Sequence, residues 1–423
     1  MPQHTANTAN TANTATTADT ESTESTESTG TAVTRLAIRL LDAWSARPRE
    51  GVAGAELPSD PGVPVLASLL HATGEPEAER SAARAVTVWT RSAGRGPAHW
   101  GLYDGGLAGT LVGLRLAARV HPGLHPVADR LRDRLVHTAP SLGWRCERVA
   151  FPDYDLIVGP SGVLLALSTG TRPTPAELGP FADHLTRLCD ADELPRLRTG
   201  QYAGHPHLGW LDGRINTGTG HGVAGVVAAL TTAVRHVGPQ PGLTPALRRA
   251  TRWLVRQSFD DARSIRTWDG AGLDDGPSPA GPRARQAWCY GTPGVSWALW
   301  DAADAAGDRE TAAWAAAAFS TLAERYDERF HLFGDRPSDL LALCHGASGV
   351  LAVADTFAHH AGLPAAAALR ARLLAHLRAR LSEIEALGAE GMGLLGGAAG
   401  PLCALLTAGH GASRAWLSCL GLR

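Results

Sequence analysis

Lysine is absent from this 423-residue chain, so all 39 basic residues are arginine, and 41 acidic residues bring the net charge to −2. A protein whose main work is gripping phosphate backbones needs a basic excess, so nucleic acid is excluded as the chief partner. The missing lysine, beside abundant Ala, Gly and Arg, is read as GC-rich codon drift and carries no function. No secretory signal is expected, because the opening MPQHTANT has neither a basic segment nor an apolar stretch. Long apolar runs are also scarce. The longest uncharged one of note, Gly391 to Gly409, holds six glycines and a proline, and its periodicity suits a buried helix after a glycine loop rather than a membrane span. Six cysteines (Cys146, Cys189, Cys289, Cys344, Cys403, Cys419) are too few and too scattered for a disulfide scaffold of this size, so a reduced, cytoplasmic chain is expected. Strand-like alternation is rare, which points to an all-α fold.

Forty-four per cent of the residues are hydrophobic and only 19% charged, enough for a large buried core. That material is unevenly spread. TANTANTANTAT and ESTESTEST repeat in triplets to about Ser28. They have no apolar face to bury, so residues 1–30 are expected to be a disordered tail ahead of a single domain, 31–423.

Within that domain a motif recurs. Six Gly-x-x-Gly pairs each open an apolar run: Gly106–Gly109, Gly159–Gly162, Gly222–Gly225, Gly291–Gly294, Gly346–Gly349 and Gly397–Gly400. The steps between first glycines are 53, 63, 69, 55 and 51 residues, each room for two helices and two connections. The runs that follow, such as VLLAL and VLAVA, are apolar nearly all round, as inner helices must be. Intervening stretches such as LTPALRRATRWLVRQS are mixed, as an outer layer would be. Alternating inner and outer helices over six or seven repeats predict a closed α/α toroid with the glycine loops at one end; an open solenoid would share the local pattern.

Three glycine loops also carry metal-ligand residue types. Cys289 and Cys344 both stand two residues before the first glycine of their own repeats, His345 adjoins the second of them, and His221 lies in Gly220-His221-Gly222. Equivalent repeat positions meet when a ring closes. Two thiolates and one imidazole make a three-ligand zinc site with an open fourth position, the catalytic kind. Cys146, Cys189, Cys403 and Cys419 lack this phase and are read as structural. His205 with His207, His359 with His360 and Asp260 with Asp261 also lie off it. Trp297 and Trp300 are read as core.

The set YDLIVGPSG, GHGVAG, RQAWCYGTPG and LCHGASG, flanked by GLYDGGLAG and LLGGAAG, resembles the lanthionine synthetase C-like family, the lantibiotic cyclases. The resemblance spans Gly101 to about Leu406. It implies an α/α toroid with one zinc ion per chain on Cys289, Cys344 and His345. It also implies an activity in antibiotic (lanthipeptide) biosynthesis: addition of a peptide cysteine thiol to dehydroalanine or dehydrobutyrine, closing a thioether ring. His221 would then protonate the resulting enolate, Arg285 steady its charge, Tyr290 donate to its oxygen, and Asp155 orient His221 or take the thiol proton. Each has a plainer reading: Asp155 as a turn cap, His221 as a loop histidine, Arg285 as a surface cation, Tyr290 as ring filler. No kinase-type glycine loop or dehydratase-sized region accompanies the repeats, so a separate dehydratase and a leader-bearing, dehydrated precursor peptide are the expected partners. The segment 190–217, rich in turn formers, is a candidate for leader docking. The alternatives are a relative that adds a small thiol such as glutathione, a non-catalytic zinc-bearing scaffold, and a zinc prenyltransferase-like toroid. The last lacks the WCYG and CHG signatures.

Overall fold

The computed structural model describes residues 15–47, 59–93, 99–273 and 285–423, with side chains from Thr31 onward. Of the expected tail, residues 1–14 lie outside the described residues, and 15–30 continue the backbone of the first helix. The helices in chain order are α1 (Ala15–Ala46), α2 (Gly62–His71), α3 (Pro76–Ser92), α4 (Leu107–Ala117), α5 (His125–Thr138), α6 (Pro160–Ser168), α7 (Pro175–Leu188), α8 (Val223–Val237) and α9 (Leu243–Arg256). They continue as α10 (Thr292–Ala306), α11 (Arg309–Arg325), the short α12 (Glu328–His331) and α13 (Pro337–Leu341), α14 (Ala347–His360), α15 (Pro364–Arg378), α16 (Leu381–Glu390) and α17 (Ala399–His410). The one sheet among the described residues is a two-stranded hairpin, Phe259–Asp260 paired with Arg266–Thr267.

Seven helices, α2, α4, α6, α8, α10, α14 and α17, pack one on the next in that order, and α17 returns to α2. The ring is therefore closed: the fold is an α/α toroid. Its inner helices are buried almost all round; every residue of α6, for example, is buried. The outer helices bury one stripe. On α9 that stripe is Leu243, Ala246, Leu247, Ala250, Trp253 and Leu254, the spacing of a helix with one apolar face. The N-terminal α1 packs on α17, α2 and α3. It thus serves as outer partner to the last inner helix, and Val33, Leu36, Leu40, Leu41 and Trp44 are its buried face.

The glycine loops do the joining. The second glycine of each pair lies so close to a backbone carbonyl that a Cβ there would stand 2.3 Å from Leu102 O (Gly109), 2.1 Å from Leu156 O (Gly162), 2.3 Å from Thr219 O (Gly225) and 2.0 Å from Trp288 O (Gly294). The same holds at Gly349 with Leu343 O (2.1 Å) and Gly400 with Leu394 O (2.3 Å). No side chain fits, so the loop is folded tightly against the helix it starts. Neighbouring loops then bond sideways: Leu102 N–H to Ile157 O, Leu156 N–H to Gly220 O, Thr219 N–H to Cys289 O and Cys344 N–H to Leu395 O. The seventh loop has no Gly-x-x-Gly. Asp60 Oδ1 accepts from Gly62 N at 2.7 Å and Leu394 N at 2.8 Å, closing the belt with a carboxylate instead.

The far end of the bore is filled by residues 414–423. Tyr103 Oη donates to Cys419 O (2.9 Å), Trp288 Nε1 to Leu420 O (3.0 Å) and Trp297 Nε1 to Gly421 O (2.9 Å). Ser418 Oγ donates to Thr169 Oγ1 after α6, Arg414 pairs with Asp355 on α14, and Arg423 with Asp301 on α10. A segment touching so many inner helices lies on the ring axis, and Cys419, Leu420 and Leu422 are buried there. Trp297 and Trp300 are buried and stacked on each other, as core. The run Gly391–Gly409 supplies the last glycine loop and most of α17. No described helix is long and apolar enough to cross a membrane.

Two stability outcomes follow. Leu420→Ala should lower the unfolding free energy by about 2–4 kcal/mol, the cost of a cavity at a buried leucine, read from the urea midpoint; an unchanged midpoint would mean the plug does not hold the ring. Deleting residues 1–28 should leave the melting temperature unchanged, because the described burial on α1 begins at Val33.

Candidate metal centre and active site

Four consecutive loops of the belt place their side chains at one mouth of the toroid. The loop before α10 presents Cys289 and the loop before α14 presents Cys344 and His345. The ligand atoms of these three residues all lie within 4.8 Å of one another, the one group of metal-ligand type found among the described residues. A tetrahedral zinc with sulfur at about 2.3 Å and nitrogen at about 2.0–2.1 Å puts its ligands some 3.5–4 Å apart, so the donor set and its spacing fit that ion. Cys289 is buried and the other two are half-buried. Burial pushes the Cys289 thiol up, with the neighbouring Cys344 adding to it and the charge of Arg285 opposing. The Cys289 thiol donates to Cys344 and holds it well below the ordinary thiol range, with His345 and His221 helping. Two thiols this close share one proton, and a cation that displaces it finds a ready donor pair.

The other two loops supply a dyad. His221, before α8, donates from Nδ1 to Oδ2 of Asp155, before α6, at 2.6 Å. Asp155 is wholly buried, and its other oxygen accepts from Val158 N and Gly159 N, both at 2.8 Å. Burial pushes the Asp155 carboxyl up, against the three bonds that favour its ionised form. At His221 burial lowers the pKa, but the bond and charge of Asp155 outweigh it and the net direction is up. Because Nδ1 is committed to Asp155, Nε2 is the nitrogen left to exchange a proton. The dyad feels the thiols: Cys344 raises the His221 pKa, and His221 lowers that of Cys344.

Tyr290, next to Cys289, is half-buried, and burial pushes its phenol well above the ordinary range. Asn216 Nδ2 donates to Tyr290 Oη at 2.8 Å, which leaves the hydroxyl hydrogen free to donate elsewhere. Asn216 is itself fixed by Gly218 N on its Oδ1. Arg285 is no surface cation. Its guanidinium lies 4.4 Å from the centre of the Phe333 ring, Nη2 reaches Phe333 O at 3.4 Å, and Nη1 is buried without a hydrogen-bond partner among the described residues.

All seven residues singled out in the sequence therefore sit on adjoining loops of one belt. Several that hold them were missed. Phe151 stacks on the His221 ring, centroids 4.3 Å apart, and Tyr154 Oη donates to His221 O at 2.8 Å. Asn216 and Phe333 play the same part for Tyr290 and Arg285. Tyr154 adjoins Asp155 and Asn216 opens the loop to His221, so both were within reach of the motif. Phe151 and Phe333 had no signal. Cys146, Cys189, Cys403 and Cys419 are unpaired and away from this group. Asp260 is taken by Arg266 at 2.6 Å, and Asp261 by the amides of Arg263 and Ile265.

A family model described as lanthionine synthetase C-like protein matches residues 66–420. The chain belongs to the lanthionine synthetase C-like family. Among solved structures, nisin cyclase superposes with a TM-score of 0.75 at 20% identity, covering 92% of this chain and 96% of the other. At that identity the likeness speaks for the toroid alone. No curated protein sequence matches this family member.

The dyad yields a test by titration. In the metal-free protein kept reduced, the His221 imidazole should titrate above its ordinary value, about 6.5. Asp155→Asn removes the charge and leaves burial, so the titration should move below that value, as read by proton NMR. By linkage, the stability that His221 draws from ionised Asp155 is present below the histidine's unfolded-state value, as long as Asp155 keeps its charge, and is lost as pH rises through the folded one. A titration unmoved by Asp155→Asn would break the dyad.

Proposed function

We propose that this chain is a zinc-dependent lanthipeptide cyclase, joining peptide cysteine thiols to dehydroalanine or dehydrobutyrine as (methyl)lanthionine thioethers. The observation that carries the reading is the meeting of Cys289, Cys344 and His345 with the Asp155–His221 dyad, from four loops of one belt. Cys289, Cys344 and His345 would hold one zinc ion, which supplies a Lewis-acid position where a substrate thiol loses its proton near neutral pH. A zinc kept for structure alone would favour a fourth protein ligand and would need no buried dyad.

The chain's own groups account for the rest. Addition of sulfur to the β-carbon leaves an enolate whose α-carbon must take a proton. His221 delivers it from Nε2, while Asp155 holds the ring in the right tautomer and stabilises its charged form. Tyr290, its oxygen already serving Asn216, has its hydroxyl proton for the enolate oxygen. The buried Nη1 of Arg285, without a hydrogen-bond partner among the described residues, supplies fixed positive charge to the same end. Phe151 stacks on the imidazole, and Tyr154 holds the main-chain carbonyl of His221. The partners are a leader-bearing precursor peptide and a separate dehydratase, the location is cytoplasmic, and the ordered domain starts near Thr31.

Two outcomes separate metal from proton chemistry. Cys289→Ala and Cys344→Ala should each lose most bound zinc, by elemental analysis, and all ring closure. His221→Asn should keep its zinc but lower ring closure by about 10²–10⁴-fold, the usual worth of a placed acid, with free thiols persisting in alkylation and mass spectrometry. Near-normal turnover would remove His221 from the mechanism, and zinc loss would make it a ligand in place of His345.

A further inference from the structure

Phe151 bears on both members of the dyad. Its ring stacks on His221, centroids 4.3 Å apart, and its carbonyl accepts from Asp155 N at 2.9 Å and Tyr154 N at 3.1 Å. Phe151 opens a single 3₁₀ turn, Phe151–Asp153. The first amides of such a turn have no partner within it. Two side chains serve them here. Asp153 Oδ2 accepts from Ala150 N at 2.8 Å, a local cap. The buried Phe151 N–H donates to Tyr202 Oη, also at 2.8 Å, and that hydroxyl lies 51 residues further along the chain. The two rings also meet, centroids 5.0 Å apart.

Tyr202 belongs to the segment 190–217 and is buried between the exposed Gln201 and Ala203. Its own backbone is held: N donates to Asp212 Oδ1 at 3.0 Å, and O accepts from His205 N at 2.9 Å. At the neck of this loop Thr199 N donates to Arg214 O and Gly213 N to Thr199 O, both at 2.9 Å. The neck is bonded in turn to the residues that run into Phe151. Val149 N donates to Arg198 O and Gly200 N to Val149 O, both at 3.1 Å. A Cβ at Gly200 would stand 2.5 Å from Arg148 Cβ, so the two stretches lie in close contact. The hydroxyl therefore reaches Phe151 from a loop fixed both to itself and to the stretch it caps. Without that oxygen the Phe151 N–H would be buried with no acceptor, a cost the chain relieves by moving. Movement there shifts the ring on His221 and the carbonyl on Asp155.

We propose that Tyr202 is a positioning residue for the proton donor: its hydroxyl caps Phe151 from across the chain and, through Phe151, sets the His221 ring against Asp155. The segment 190–217 is thereby part of the frame of the dyad. The inference rests on the reading of His221 as the acid of a thioether-forming cyclase.

The test compares Tyr202→Phe, Phe151→Leu and the two combined, in the full chain kept reduced and supplied with zinc. One readout needs no turnover. The ring protons of His221, assigned by their loss in His221→Asn, lie against the face of Phe151, whose ring current shifts them. They are compared by proton NMR at the alkaline plateau of the His221 titration, where protonation does not contribute. Phe151→Leu should remove the shift, and Tyr202→Phe should move it the same way by at least a quarter as much. The double variant should match Phe151→Leu, because the hydroxyl acts only through Phe151. The second readout is ring closure in a synthetic peptide with one dehydroalanine and one free cysteine. Tyr202→Phe should lower kcat at least fivefold with KM within twofold of the parent. If Tyr202→Phe does not fold, Asp212→Ala, which only loosens Tyr202, takes its place and should move the resonance the same way. An unmoved resonance in the folded variant, additive shifts in the double variant, or an unchanged kcat beside a moved resonance would overturn the positioning role. A parent chain that closes no ring but shows the expected resonances would sink the cyclase reading and leave the Tyr202 clamp standing.

Discussion

A missing Cβ is the constraint from which this molecule is built. At the second glycine of each loop, any side chain would meet a backbone carbonyl at 2.0–2.3 Å. Atoms at that separation repel steeply, and the carbonyl belongs to backbone that cannot swing away. The loop can therefore fold back on its helix only where glycine stands. Six such folds, with Gly62 and the Asp60 carboxylate forming the seventh, give seven inner helices the same start and direction. Their loops then meet edge to edge, and main-chain bonds between neighbouring loops hold the belt. One glycine carries a further demand: Gly291, next after Tyr290, has φ +80°, a conformation other residues rarely adopt.

Chemistry at the mouth is a product of the same register. Asp155, His221, Cys289 and Cys344 come from four successive loops and are far apart in sequence, yet each stands one to four residues before its own first glycine. A ring that repeats the loop repeats the position, so side chains at that offset converge. The opposite end has no such loops and is stoppered by residues 414–423. Their carbonyls take the indole of Trp288, which adjoins Cys289, and the hydroxyl of Tyr103. The metal group thus rests on a packed floor and opens one way. Burial without compensation would neutralise its charges. At Asp155 three hydrogen bonds to its oxygens oppose this, though burial still raises its pKa, and at Cys344 the thiol beside it outweighs burial.

How much of this was legible beforehand follows from how each feature is encoded. Gly-x-x-Gly recurs in the linear text, so the repeats, the inner helices and the family were readable from it. Cys289 and Cys344 shared a phase that only ring closure makes meaningful, and that too could be read. The seventh repeat was not, because it has a single close-packed glycine, Gly62, in place of the Gly-x-x-Gly pair, and Asp60 does there with a carboxylate what main-chain bonds between loops do elsewhere. The packing of α1 on α17 as an outer helix was hidden as well, since the two helices are at opposite ends of the chain and share no motif. Phe151, Phe333 and the axial segment escaped for a related reason. They act by contact across the ring, and a stacking partner or a plug leaves no periodic mark. Arg285 could have been a surface cation by sequence; only its burial against Phe333 decided otherwise.

The central claim is that ring closure makes one three-ligand site with room for a substrate sulfur. X-ray absorption at the zinc edge reads this directly. The loaded protein should show two sulfurs at about 2.3 Å with the remaining ligands light atoms. Adding a dehydrated precursor peptide with free cysteines should raise the count to three sulfurs, and the same peptide with its cysteines alkylated should not. A first shell with fewer than two sulfurs, or a sulfur count that free peptide thiols leave unchanged, would contradict the account.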